Sequence, residues 1–276
     1  MISKGESTVF HAKNYVLAQS LDEAWELNQK RTNKIVGGMA WMKMGKQNYQ
    51  TVIDLSALHL DQIQETEDAF SLGCMVTLHQ MEIHPGLETC FQGAVRESVR
   101  HIVGVQFRNC ATVGGSLFGR FGFSDVLTCF LALGAEVELY RAGRMSLERF
   151  ASMPYDNDIL VRVLLPKKGL RAAYQSMRNT ATDFPVLAVA VSLEPGKGWL
   201  AAVGARPGKA VCHPWPQNPS QPLSQQIEDF AAHVQNHTAF GTNMRGSAEY
   251  RRHLCGILMR RAMEKIKSAD PTLADF

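Results

Sequence analysis

"CATVGGSLFGRFGFSDV" (110–126) sets a diglycine, hydroxyls, an arginine and an acid directly before an apolar run, "LTCFLALGAEVELY" (127–140). Ser124 has the side chain of a helix N-cap, and apolar residues at 126, 127, 130, 131 and 133 make a broad buried stripe. Gly134 supplies a C-terminal stop, and "AEVELY" then alternates as a strand. The segment thus reads as glycine turn, helix, strand. Five glycines fall between 104 and 122, more backbone freedom than one turn requires.

The same grammar extends upstream. Ser20-Leu21-Asp22-Glu23 fits a capping box opening a helix through "EAWELNQK". "KIVGG" (34–38) is a β-branched strand halted by two glycines, and "QTVIDLS" (50–56) is another strand. "DAFSLGCMV" (68–76) reads as a strand, with Thr77 capping a helix in "LHQMEI". "FQGAVRESVRHIV" (91–103) suits an amphipathic helix. After about residue 153 the texture changes. "ILVRVLLP", "RAAYQSMRN", "FPVLAVAVSLE" and "GWLAAVGARP" are successive strand-like runs, with "EPGKG" (194–198) a hairpin turn. "HPWPQNPSQP" reads as loop, and helices near 224–237 and 247–267 finish the chain. The expectation is an α+β fold: residues 1–153 in two α/β lobes (1–57 and 58–153), then an antiparallel sheet plus helices over 154–276.

The totals are those of an ordinary soluble globular protein, with 276 residues, 45% hydrophobic and 20% charged. A net charge of +3 gives no ground for nucleic acid, and "YRRHLCGILMRRAMEK" is spaced like the wet side of a helix. No stretch approaches the ~20 apolar residues that span a bilayer. "MISKGESTVFHAKNY" lacks the apolar core of a secretory signal. Six cysteines at 74, 90, 110, 129, 212 and 255 form no CxxC pair, which argues for reduced thiols, a cytoplasmic location and no iron–sulfur or zinc site.

"VGGMAW" (36–41) and "TVGGS" (112–116) each follow an apolar stretch. Adjacent glycines let bare amides approach an anion, so two such loops can grip a diphosphate from both sides; each can equally be a tight turn. No G-x-x-x-x-G-K-[ST] occurs, since "GARPGKA" is one residue short, and "GGSLFG" has the wrong offsets for G-x-G-x-x-G. Asp125 has two readings: a helix-dipole partner, or an acceptor for sugar or ribityl hydroxyls. His79 and His84 lack helical ligand spacing, Trp25 and Trp41 read as core, and the methionines at 39, 42 and 44 as adaptable filling.

"FRNCATVGGSLFGRFGFSDVLTCFLALGAEVEL" resembles the flavin-binding subunit of the molybdenum hydroxylases, the xanthine dehydrogenase and carbon monoxide dehydrogenase group. "KIVGGMAW", "TVIDLSAL", "AAYQSMRNTATDFPVLAVAVSL" and "NMRGSAEYRRHLCGILMRRAME" resemble further family segments in the right order, the third as the family's strand pair with its arginine and aspartate (Arg178 and Asp183), so the likeness runs almost full length. The resemblance implies FAD, held noncovalently. Its diphosphate would lie between Lys34, Ile35, Val36, Gly37, Gly38, Met39, Ala40 and Trp41 on one side and Thr112, Val113, Gly114, Gly115 and Ser116 on the other. Ile102, and Ile159 or Leu160, match positions near the flavin, and Asp125 one that contacts the cofactor's hydroxyls. The implied complex has an iron–sulfur subunit and a molybdopterin subunit, with electrons passing through FAD to NAD or another acceptor.

Three departures stand out. Ser116 replaces the family's usual asparagine, Gln175 falls where some relatives carry a lysine, and "LFGRFGF" adds Arg120 and two phenylalanines. Arg120 could neutralise a diphosphate, face a partner or simply be solvated. Two other functions remain open at this level: a free-standing FAD-dependent oxidase or reductase, and a cofactor-free scaffold.

Overall fold

The structure is a computed structural model, described over residues 9–270. Strand β1 (His11–Leu17), helix α1 (Leu21–Asn28) and strands β2 (Asn33–Val36) and β3 (Asn48–Asp54) build the first lobe. Its sheet is parallel in the order β1-β3-β2. β1 has no counterpart among the strands read from sequence. It lies at a sheet edge with most side chains outward, so "HAKNYVL" carries no alternation to read. The Ser20 cap forms, its hydroxyl accepting from the Glu23 amide, while Glu23 reaches back to the Gln19 amide at 2.8 Å.

The second lobe begins with β4 (Ile63–Glu65) and β5 (Ala69–Gly73), followed by α2 (Leu78–Ile83), α3 (Pro85–Cys90) and α4 (Ala94–Val99). Next come α5 (Val105–Cys110), α6 (Val113–Phe118), α7 (Asp125–Ala132), β6 (Glu136–Leu139), β7 (Gly143–Ser146), α8 (Leu147–Ser152) and β8 (Leu160–Pro166). Thr77 caps α2 in a full capping box. The helix expected over 91–103 is confined to α4, because Gly93 takes a left-handed conformation and the chain turns again before α5. The sheet order is β4-β5-β8-β6-β7. This corrects the expectation for "ILVRVLLP": β8 is not the first strand of the C-terminal sheet but the centre of the preceding one. Adjacency in sequence suggested a shared sheet; pairing with β5 and β6 overrides it.

The third lobe is antiparallel. β9 (Arg171–Arg178), β10 (Pro185–Glu194), β11 (Gly198–Gly204) and β12 (Val211–Pro216) pair in the order β12-β11-β10-β9, and α9 (Leu223–His237) and α10 (Ala248–Ala269) follow. β12 corrects the loop expected from "HPWPQNPSQP". Its prolines are tolerated because it is an edge strand, where a missing amide interrupts no second ladder.

Side-chain alternation on β10 divides the core. Leu187, Val189, Val191 and Leu193 pack under α9 and α10, while Ala188 and Ala190 face the first two lobes. Small residues on that inner face let α7 approach closely. Ser192 donates to the Ala132 carbonyl at 2.6 Å, and Gly204 abuts Thr128 so tightly that a Cβ would strike its hydroxyl. All eight residues of α7 are buried. The helix opened by Ser124 is therefore the central element between two sheets rather than a surface helix with one apolar stripe.

Candidate functional site

The two glycine loops meet. Gly37 lies against Thr112, where a Cβ would come within 2.6 Å of the hydroxyl, and a Cβ on Gly38 would land on the Cys110 carbonyl. The first pair of glycines therefore lets one lobe's backbone touch the other's. Gly114 serves a similar contact, since its Cβ would stand 2.7 Å from the Cys74 carbonyl. Gly115 differs: it is exposed, and only Thr112 Oγ1, at 3.2 Å, lies near its Cβ position.

"TVGGS" is not an open loop of bare amides. Thr112 is the N-cap of α6, and the next four amides all have protein acceptors. Val113 donates to the Val76 carbonyl, Gly114 to Cys74, Gly115 to Thr112 Oγ1 and Ser116 to the Thr112 carbonyl. The other loop is the bare one. Among the described residues, the amides of Gly38, Met39, Ala40 and Trp41 donate to no protein group. Met39 adopts a positive φ of 53°, which curls this run into a turn.

Several of the other candidate residues converge here. Ser124 donates to the Ser116 carbonyl at 3.0 Å, tying the start of α7 to α6. Asp125, only 5% exposed, opens α7. Its Oδ1 accepts from Arg178 Nη2 at 2.5 Å and from the Tyr174 hydroxyl. Among the described residues Oδ2 has no such bond. Burial pushes the Asp125 carboxyl up to about 6, against the opposing pull of Arg178 and Tyr174. Arg178 also donates to the Asp183 carbonyl at 2.6 Å, and its buried Nε has no partner. Asp183 pairs with Arg245 at 2.8 Å, whose hydrogen bond holds its carboxyl below the usual range. Arg178 and Asp183 are the arginine and aspartate that the resemblance singled out in "AAYQSMRNTATDFPVLAVAVSL", whereas Tyr174 carried no signal in the sequence; Tyr174 and Arg178 are four apart on one strand and so share a face.

The remaining candidates are placed differently. Lys34 is exposed on β2, Ile35 is half-buried and Val36 is core. Ile102 is half-buried, and its carbonyl accepts from Arg108. Ile159 and Leu160 are 2% and 4% exposed and belong to the main core rather than to an open wall. Gln175 lies on the face of β9 opposite Tyr174 and Arg178, turned from Asp125 by the strand's two-residue period. Trp41 is not core: it is 53% exposed and stacks on Phe184. Trp25 packs against the core beneath the Arg141 guanidinium. Met44 is exposed rather than filling. His79 pairs with Glu82, and His84 caps α3.

Arg120 is neither solvated nor turned to a partner. It is 6% exposed, its guanidinium 4.1 Å from the Phe150 ring centroid and near the Phe118 and Tyr155 rings, and it donates to the Pro154 carbonyl. The aromatic faces accept what its unpaired Nε and Nη2 lack.

Joined glycine loops, a free amide run and a buried acid at a helix start make this region the candidate site for a phosphate-bearing cofactor. Residues 9–168 match the family described as the FAD binding domain in molybdopterin dehydrogenase, and the chain belongs to that family. FAD is its cofactor, and the protein is an oxidoreductase subunit. The nicotine 6-hydroxylase medium subunit of Paenarthrobacter nicotinovorans is 26% identical over 274 residues, covering 91% of this chain and 96% of that protein. The glyceraldehyde dehydrogenase medium chain of Sulfolobus acidocaldarius is 22% identical over 275 residues, covering 92% and 98%. A chain of the carbon monoxide dehydrogenase of Hydrogenophaga pseudoflava superposes with a TM-score of 0.78 at 18% identity, covering 94% of this chain and 96% of that one; this likeness shows the fold.

The residues present suit FAD. Four unpaired amides at 38–41 match an anion, the exposed Gly115 leaves room beside them, and Asp125 Oδ2 is free to accept from a hydroxyl. Among the described residues no helix is long and apolar enough to cross a membrane.

Proposed function

We propose that this chain is the FAD-carrying electron-transfer subunit of a multi-subunit molybdopterin-dependent hydroxylase or dehydrogenase. It works with an iron–sulfur subunit and a molybdopterin subunit in the cytoplasm, and links iron–sulfur donors to a terminal acceptor, NAD or another. The single observation that carries this reading is the junction of the two glycine loops, with the bare amide run beside it. FAD, when bound, supplies a ring that takes up electrons and hands them on.

The chain's own residues do the rest. Amides 38–41 hold the diphosphate, the contact of Gly37 and Gly38 with residues 110–112 fixes the spacing of the two loops, and Gly115 leaves the approach open. Arg178 and Tyr174 hold Asp125 through Oδ1, so that Oδ2 is presented to the ribityl or sugar hydroxyls. Gln175, on the other side of its sheet, has no part in choosing the acceptor.

Purification with co-isolating subunits tests the assembly: molybdenum, iron and a flavin absorption band are expected together. A chain that purifies alone and colourless, and cannot be reloaded with FAD, overturns the proposal. Gly115→Val tests the site. The exposed position tolerates a side chain, so stability should change by about 1 kcal/mol or less. FAD retention after gel filtration should be lost, because the isopropyl group would occupy the approach path. A Gly115→Val protein that stays fully yellow contradicts this placement.

A further inference from the structure

Four aromatic rings form a continuous ladder across three lobes. Trp41 stacks on Phe184 with centroids 5.3 Å apart and planes 19° from parallel. Phe123 meets Phe184 edge-on at 4.6 Å, and Phe121 stacks on Phe123 at 5.1 Å. Arg245 closes the ladder, its guanidinium 5.0 Å from the Phe184 centroid. A chain does not need such an exposed ladder merely to fold: Trp41, Phe121 and Phe123 are each more than a third exposed, and an exposed aromatic contributes little to a core.

The location of Trp41 is what matters. It is the last residue of the bare amide run, so its ring is carried by a residue whose own amide is among those assigned to the diphosphate. Through Phe184 it adjoins Asp183, whose carbonyl binds Arg178, the residue that holds Asp125. One face of the indole is engaged by Phe184. With half its surface exposed, the other face is open. A fused heteroaromatic ring attached to that diphosphate would reach an electron-rich indole pre-positioned by a second ring, the offset arrangement that aromatic pairs favour.

We propose that Trp41 is a positioning residue whose open face stacks against one of the two ring systems of FAD, isoalloxazine or adenine. This rests on the proposed function above. Phe184 holds the indole in place from behind, and Phe123 and Phe121 extend the support into the 119–124 loop.

The test uses the full chain with any subunits that purify with it, stripped of flavin and titrated with FAD, FMN and ADP. FAD is expected to quench part of the tryptophan emission in the wild type. In Trp41→Phe that quenched part should vanish while FAD still binds within about threefold, since a phenyl ring keeps a stacking face. Trp41→Ala should bind FAD about tenfold more weakly and show brighter bound-flavin fluorescence. Quenching by FMN assigns the isoalloxazine ring, and quenching by ADP the adenine. The inference is overturned if Trp41→Phe keeps the wild-type quench, or if Trp41→Ala holds FAD with unchanged affinity and flavin emission. In either case the retained flavin absorption leaves the functional reading standing. Failure of the wild type and of both variants to take up FAD sinks both.

Discussion

Gly38→Ala is expected to lower stability by about 3 kcal/mol, roughly 10 °C in Tm, and to abolish FAD retention as well. The added methyl would coincide with the Cys110 carbonyl oxygen, a backbone atom that cannot swing away like a side-chain tip. Either the first lobe moves off the second or residues 110–112 are displaced, and each movement opens the junction on which the cofactor site depends. Thermal melting followed by circular dichroism, with flavin absorbance after gel filtration, measures both effects. A variant that melts like the parent and stays yellow would show that the two loops are not packed as described. The contrast with Gly115→Val is the diagnostic: the same cofactor loss, with stability lost at one glycine and kept at the other.

Arg178→Met should cost about 3–5 kcal/mol at pH 8, because it strands the buried Asp125 carboxylate without its cation. The cost depends on pH in a defined direction. Burial already raises the folded Asp125 carboxyl to about 6, above its unfolded value of 3.8, so the native state binds a proton that the unfolded chain lacks. Stability attributable to this group therefore rises as pH falls through 6, in the parent as well. Removing the guanidinium, which pulls the carboxyl down, moves that rise to higher pH. Denaturant melts of parent and Arg178→Met at pH 5 and pH 8 should show a gap that narrows markedly at the acid end. A gap independent of pH would mean that Arg178 acts by packing alone.

Local signals were the legible part of the fold. The Ser20, Thr77 and Ser124 caps and the turn at 194–198 depend on neighbours a few residues away, and all of them form. What could not be read depends on distant partners. β8 sits in the earlier sheet because β5 and β6 accept it, and β12 is an edge strand whose prolines looked like loop. At the site, both glycine loops were visible, but the reason for the glycines was not. Gly37 and Gly38 are fixed by contact with a segment more than seventy residues away, and the second loop's amides are taken up by the Cys74 and Val76 carbonyls and by its own cap, Thr112. Tyr174 and Arg178 stand 49 and 53 residues from Asp125, so no spacing rule links them. Arg120 was misread for a related reason: only the folded chain brings Phe150 and Tyr155 around it.

The central position of β8 bears on how the polypeptide is made. While the nascent chain emerges from the ribosome, β5 and β6 have no common neighbour until residues 160–166 clear the exit tunnel. The middle of the second sheet is thus the last piece of that lobe to be synthesised, and the earlier strands must wait with open edges. A protease or an engineer cutting at the change of texture near residue 153 would remove the keystone strand, whereas a cut just after Pro166 would leave it in place.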